Sequence, residues 1–196
     1  MSSGDTPWPS QQPVLTDGVA ILRGFRPEDA AEVYRACQDP EIQHFTQVPV
    51  PYLPEHATGW VSANAALWAD ARTANFAVTE HGTSGFLGVV GIIGVDHALG
   101  QAGVGYWTAP WGRSRGMTTR AVRLVTSWAL TEGGLQRLQA EVEQTNTAST
   151  RVIESAEFSR SDTPVVQEEL KGSLRTLVVW ERRAQGRATS GRQRWI

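Results

Sequence analysis

Cysteine is almost missing from this chain, and so is any long apolar run. Cys37 is the only cysteine in 196 residues, so no intrachain disulfide can form and a stapled fold is excluded. A lone thiol fits a reducing compartment. Cys37 falls in a helical pattern, where a small buried hydrophobe is the ordinary use and a nucleophile the alternative. No segment approaches the ~20 apolar residues that cross a bilayer. Residues 1–13 are rich in Ser, Pro and Gln, with no basic cluster leading into an apolar stretch, so no secretory signal is expected. A cytoplasmic chain with no membrane partner is the expectation. Charge of one sign is lacking too. A net charge of −2 gives no broad drive toward nucleic acid, and none is expected as a partner. His44, His56, His81 and His97 are scattered without ligand spacing, so no metal is expected. The GxxxxGK[ST] and GxGxxG phosphate patterns are absent, which removes the usual triphosphate and dinucleotide sites. No internal repeat is visible.

What remains is an ordinary soluble balance, 40% hydrophobic and 19% charged, over a length that suits one domain. Residues 1–17 and 184–196 read as flexible tails around a single domain at 18–183. Within the second tail, Trp195 and Ile196 are candidates for docking on a neighbouring subunit. The apolar period changes repeatedly between the tails. Val19–Phe25 alternates as a strand. Pro27-Glu28-Asp29 opens a helix carrying Ala30, Val33, Tyr34 and Cys37, which Asp39-Pro40 stops. Residues 43–54, with three prolines, read as an irregular loop, and 55–71 as a helix. Strands are expected at 75–80, 86–95 and 102–108. A helix runs from Thr118 to the Gly133-Gly134 stop. A strand at 138–142, a short helix at 147–155 and a strand at 174–180 complete an α/β mixture whose middle strands form an antiparallel meander.

The segment joining the third of those strands to the helix is Ala109-Pro110-Trp111-Gly112-Arg113-Ser114-Arg115-Gly116. A helix N-terminus offers unpaired N–H groups and a partial positive charge. Glycine there lets a phosphate approach the backbone. Gly112 and Gly116 supply that freedom, Arg113 and Arg115 add cations, and Thr118 and Thr119 add hydroxyls. Taken alone, such a turn is equally a solvated connection.

The wider run GVGYWTAPWGRSRGMTTRAVRLVTSWAL, followed by LQRLQAEVEQTNTASTRVIESAEF, resembles the GNAT acetyltransferases, in their ribosomal-protein (RimJ/RimL) branch. With VAILRGFRPEDAAEVY as the first strand and helix, the resemblance extends from Val19 to about Arg183. It implies a mixed, mostly antiparallel central sheet flanked by helices and splayed between its fourth and fifth strands. It also implies acetyl-CoA as acyl donor and transfer to a primary amine, either a peptide α-amine or a small molecule's. Many relatives pair, so a homodimer is expected. The family's acyl-CoA loop matches Arg113, Ser114, Arg115, Gly116, Met117 and Thr118, with Thr119 beside it. Trp107 and Thr108 fall on the strand whose splayed edge pairs with pantetheine amides. Asn146 and Ser149 match the N-x-x-S segment beside the thiol, followed by Arg151.

By the same resemblance Glu141, five residues before Asn146, is the catalytic base. Glu143 shares its strand face, and His97 is a second candidate for the base. The tyrosine acid expected seven residues after the Asn falls on Ile153. Ser149 or Tyr106 is then left to serve the departing sulfur. Trp60, Trp68, Tyr52 and His44 are candidates for lining the acceptor pocket. The chain departs from the family pattern at Thr118 (Gly or Ala elsewhere), Gly103 (often Glu) and Glu157 (usually Gly). A non-catalytic acyl-CoA-binding module and a transferase for another acyl group, such as succinyl, stay open as alternatives.

Overall fold

A computed structural model of the protein describes residues 8–83 and 85–185. Nine strands form one sheet: β1 Leu15–Thr16, β2 Ala20–Arg23, β3 Ala74–Glu80, β4 Phe86–Asp96, β5 Gln101–Thr108, β6 Arg137–Glu143, β7 Ser159–Arg160, β8 Val166–Leu170 and β9 Ser173–Arg183. Their spatial order is β1-β2-β3-β4-β5-β6-β9-β7, with β8 on β9. Every pairing is antiparallel except β5 with β6. That parallel pair holds only at Gln101–Arg137, Ala102–Leu138 and Gly103–Gln139. The mixed, splayed sheet expected from the sequence is the sheet observed.

Among the described residues five helices flank it: α1 Asp29–Ala36, α2 Pro40–Phe45, α3 Pro54–Ala69, α4 Met117–Leu130 and α5 Thr147–Ser155. The strand alternation decides which face each side chain serves. Leu138, Ala140 and Val142 of β6 and Ala102 and Val104 of β5 pack with Val122, Val125 and Trp128 of α4. On the opposite face Val33 and Ala36 of α1, Ile42 of α2, and Ala57 and Val61 of α3 cover Ala77, Phe86 and Val89. Gly103, Gly105 and Trp107 of β5, with Glu141 and Glu143 of β6, point to this second side.

Three differences from the sequence reading have local causes. Asp39-Pro40 ends α1 but also starts α2, which occupies part of the stretch expected to be irregular. The Asp39 carboxylate accepts from the N–H groups of Glu41 and Ile42, both at 3.1 Å, and proline fits the first turn. The β8–β9 hairpin was not expected at all. Its two turn residues, Lys171 (φ 52°) and Gly172 (φ 77°), both take the left-handed region that a tight hairpin loop demands. Finally, residues 8–17 are not a tail. Trp8 is buried and stacks 5.0 Å from Trp68. Gln12 Nε2 donates to Asn75 O at 2.8 Å, and β1 pairs with β2. At the other end Ala184 N donates to Gln136 O at 2.9 Å. The docking expected of Trp195 and Ile196 falls outside the described residues.

The Trp8 indole closes a cluster with Trp68 and Trp128, 5.4 Å from the latter. Trp8→Ala should therefore cost about 3 kcal/mol, read as a lower midpoint in denaturant with little change of slope.

Candidate functional site

After three residue pairs β5 and β6 part, leaving β5 from Val104 to Thr108 with no strand on its β6 side. Backbone groups along that edge face an opening instead of a ladder, and such groups require partners. The strands are bridged beyond the parting. Tyr106 on β5 meets Ser149 in the first turn of α5, with the two hydroxyl oxygens 2.6 Å apart. The tyrosine hydroxyl also donates to Ser149 O at 3.2 Å. Asn146 fixes this turn, because its side-chain oxygen accepts from Ser149 N at 2.9 Å, an N-cap bond. Burial pushes the Tyr106 phenol up to about 12, against the hydrogen bond from Ser149. It therefore stays a proton donor at any ordinary pH.

Past Thr108 the chain makes one 3-10 turn at Pro110–Gly112 and reaches α4 through Gly116. Gly116 sits at φ 69° and caps the helix without a side chain. No atom lies within 4 Å of where a Cβ would stand. The N–H groups of residues 117–119 belong to the first turn of α4, where the helix provides no acceptors. Open space lies beside Gly116 at this end of the helix, where the helix is positive. Met117 turns inward and is buried. The Thr118 hydroxyl lies 2.5 Å from that of Thr108, so it is turned against β5. Thr119 is half-buried, and Ser114 is exposed at φ 59°.

The two loop cations are held in place. Arg113 reaches Asp39 at 2.5 Å and Glu41 at 3.0 Å, and Arg115 reaches Glu80 at 2.5 Å. Burial opposes ionisation of Asp39, but Arg113 and the first-turn N–H groups of α2 override it and hold the carboxyl below its usual value. Arg113 thus ties the loop to α2, and Arg115 ties it to β3. Arg151 is exposed on α5.

On the helix-covered side of the opening, Glu141 is exposed and has no ion-pair or hydrogen-bond partner among the described residues. Glu143, one strand repeat further, is tied down: Thr145 Oγ1 donates to its Oε1 at 2.7 Å, and Arg175 Nη1 lies 3.3 Å from Oε2. His44, in the last turn of α2, has Nε2 3.8 Å from Glu143 Oε1. The site thus gathers His44 with Glu143, and Tyr106 with Ser149 and Asn146.

It does not gather Trp68, Tyr52, Trp60 or His97. Trp68 is buried between Trp8 and Trp128, with its indole N–H donating to Pro9 O at 3.0 Å, so it is core and not pocket wall. Tyr52 is buried in the cluster that holds Cys37, and Trp60 packs edge-on against Phe25 at 4.8 Å. His97 is spent on Ala71 O at 2.7 Å. Burial pushes the Cys37 thiol up to about 11, which makes it inert packing. Arg175 escaped sequence reading altogether. In the alternating run LRTLVV it reads as a solvent-facing residue, yet it is 7% exposed.

Residues 20–159 match the acetyltransferase (GNAT) domain family, and the chain belongs to that family. It is an acetyl-CoA-dependent acetyltransferase of the GNAT fold. A relative, the uncharacterized N-acetyltransferase YoaA of Bacillus subtilis, is 25% identical over 152 residues, 76% of this chain and 84% of its own. Among solved structures, the ribosomal L7/L12 α-N-protein acetyltransferase RimL in complex with coenzyme A superposes with a TM-score of 0.79. It is 15% identical, and the match covers 87% of this chain and 98% of that one. Mycobacterium smegmatis RimJ in complex with CoA-disulfide gives a TM-score of 0.74 at 26% identity, covering 91% and 89%.

A Cβ at Gly116 meets no atom of the protein, so the stability cost of a substitution there reports backbone conformation alone. Gly116→Val should cost about 1–2 kcal/mol through the left-handed φ, measured by denaturant unfolding. It should also weaken coenzyme A binding, measured by calorimetry, because the side chain enters the open space beside the loop.

Proposed function

We propose that the protein transfers the acetyl group of acetyl-CoA to a primary amine that enters between β5 and β6 from the side of Glu141. The observation that carries this reading is the adjacency of two unsatisfied backbone surfaces. The first-turn N–H groups of α4 open around Gly116, and the unpaired β5 edge from Val104 to Thr108 runs up to that loop. A diphosphate suits the first, because anions bind helix N-termini. The amide-bearing arm of the same cofactor suits the second, as an added strand would.

Met117, Thr118 and Thr119 supply the N–H groups in this reading, while Arg113, Ser114 and Arg115 shape and charge the rim. Trp107 and Thr108 border the arm. Asn146 orients the first turn of α5, and Arg151 lies on its exposed side. Glu141, exposed and unpartnered among the described residues, draws the acceptor's ammonium to the opening. The Tyr106–Ser149 hydroxyl pair lies where the sulfur leaves. Tyr106, held up at about 12 by burial, keeps its proton at neutral pH and so can hydrogen-bond a departing thiolate. Holding donor and acceptor together in this opening lowers the barrier by roughly 7–11 kcal/mol through proximity.

Acetyl-CoA turnover, followed by thiol release, should be measured against peptide α-amines and small polyamines. Release of thiol only when an amine is present supports the reading, and no association with coenzyme A by calorimetry sinks it. Tyr106→Phe should lower kcat by about tenfold to a hundredfold and leave acetyl-CoA affinity nearly unchanged. Glu141→Gln should act mainly on the KM of the amine.

A further inference from the structure

Glu141 is exposed and unpartnered among the described residues, which suits it to attracting a cation. The same side of the sheet carries an imidazole, a group that as a class exchanges protons near neutral pH. We infer that His44 takes the proton of the incoming ammonium, with Glu143 orienting its ring and Arg175 fixing Glu143. The inference rests on the acetyltransferase reading above and assigns one step within it.

Three observations converge on His44. Its Nε2 lies 3.8 Å from Glu143 Oε1. Its backbone is gripped as well: Arg175 Nη2 donates to His44 O, and Lys171 Nζ donates to the neighbouring carbonyls of Gln43 and Thr46. Its ring is half-exposed, at 56% for the side chain, whereas Glu143 and Arg175 are 14% and 7% exposed. An exposed imidazole thus stands on a buried, fully charged base. Glu143 Oε2 and Arg175 Nε are buried without a hydrogen-bond partner. So costly an ion pair is retained where it fixes a geometry. Glu143 Oε1 stands nearest Nε2, which leaves Nδ1 as the acceptor nitrogen in the inferred step. No described residue donates to Nδ1.

The charged groups placed around His44 are Glu143 on β6, 3.8 Å from its ring, Arg175 on β9, which donates to its carbonyl and has Glu168 opposite it on β8, and Lys171 at the β8–β9 turn, which donates to the carbonyls of Gln43 and Thr46. An imidazole as a class exchanges protons near neutral pH and can serve there as a base.

The step conserves protons. The ammonium gives its first proton to His44 Nδ1, which passes it to water. The freed lone pair forms the C–N bond to the thioester carbonyl carbon, and the C–S bond breaks. Tyr106 protonates the departing sulfur and regains a proton from the acylated nitrogen. The products are the N-acetyl amine, the free thiol and one proton released.

The test uses the full chain and the amine that the wild-type enzyme turns over best. The acid limb of the kcat/KM profile should disappear in His44→Gln, with kcat reduced about a hundredfold. Coenzyme A affinity by calorimetry should be unchanged, and added imidazole should restore part of the rate. Glu143→Gln should keep the acid limb but move it to lower pH, and Glu143→Asp should recover part of the shift. In the free protein, the ring resonance of His44 followed by NMR should titrate lower in Glu143→Gln than in wild type. A His44→Gln enzyme that retains the acid limb and works within twofold of wild type overturns the assignment and leaves the transferase reading intact. Loss of the limb in Glu141→Gln instead returns the proton to Glu141. Absence of coenzyme A binding in the wild type removes both.

Discussion

The parting of β5 from β6 is the constraint on which the rest of the structure depends. Two parallel strands that share three pairs and then diverge leave a row of peptide groups unsatisfied, and a folded protein tolerates that only with a reason. The divergence is braced, not frayed. Tyr106 and Ser149 hold the far side of the gap through their hydroxyl contact, and α4 packs beneath both strands. The Gly116 loop is at one end of this gap, the Asn146 cap at the other, and Glu141, Glu143 and Arg175 stand on the side covered by α1, α2 and α3. A continuous ladder would give a more stable sheet with nowhere for a donor to lie.

Much of this was legible because the relevant signals are local. The 104–130 strand–loop–helix is marked by a change of apolar period and by glycines at its junction. Gly116 takes the positive φ that only glycine adopts without strain. Asn146 as cap of α5 follows from residue type and position, and the helix begins at the next residue. The mixed sheet was legible from the order of strand and helix periods, and its splay from the family resemblance.

What was not legible depends on contacts remote in sequence. Trp8 in a Ser/Pro/Gln-rich run reads as tail, because nothing within ten residues shows that Trp68 and Trp128 wait to receive it. Trp68 reads as an amphipathic helix residue facing a pocket, and the same tryptophan cluster claims it for the core. Arg175 shows neither its burial nor its partners, since they come from α2 and β6, more than thirty positions away. The short strands β7 and β8 lack apolar periodicity strong enough to stand alone, and β9 makes them strands by pairing.

The departures from the family pattern look different once side chains are placed. A threonine at position 118 would obstruct a phosphate if its hydroxyl faced the loop. It faces Thr108 instead, at 2.5 Å, and so joins the end of β5 to the start of α4. At position 103 the glycine leaves no carboxylate on β5, and a Cβ there would come within 3.0 Å of Ile93 Cγ1, so the Ile93 side chain occupies that space. Under the proposed reading the acid–base groups come from elsewhere in the site. Carboxylates sit across the gap on β6, where Arg175 of β9 lies 3.3 Å from Glu143, and the tyrosine beside Ser149 is Tyr106 of β5. The buried Ile153 packs in the core with Ala156 and Phe158, which leaves no room there for a polar ring. A site assembled from both sides of a gap can exchange donors between its walls, because what the chemistry constrains is the opening and not the strand that supplies each group.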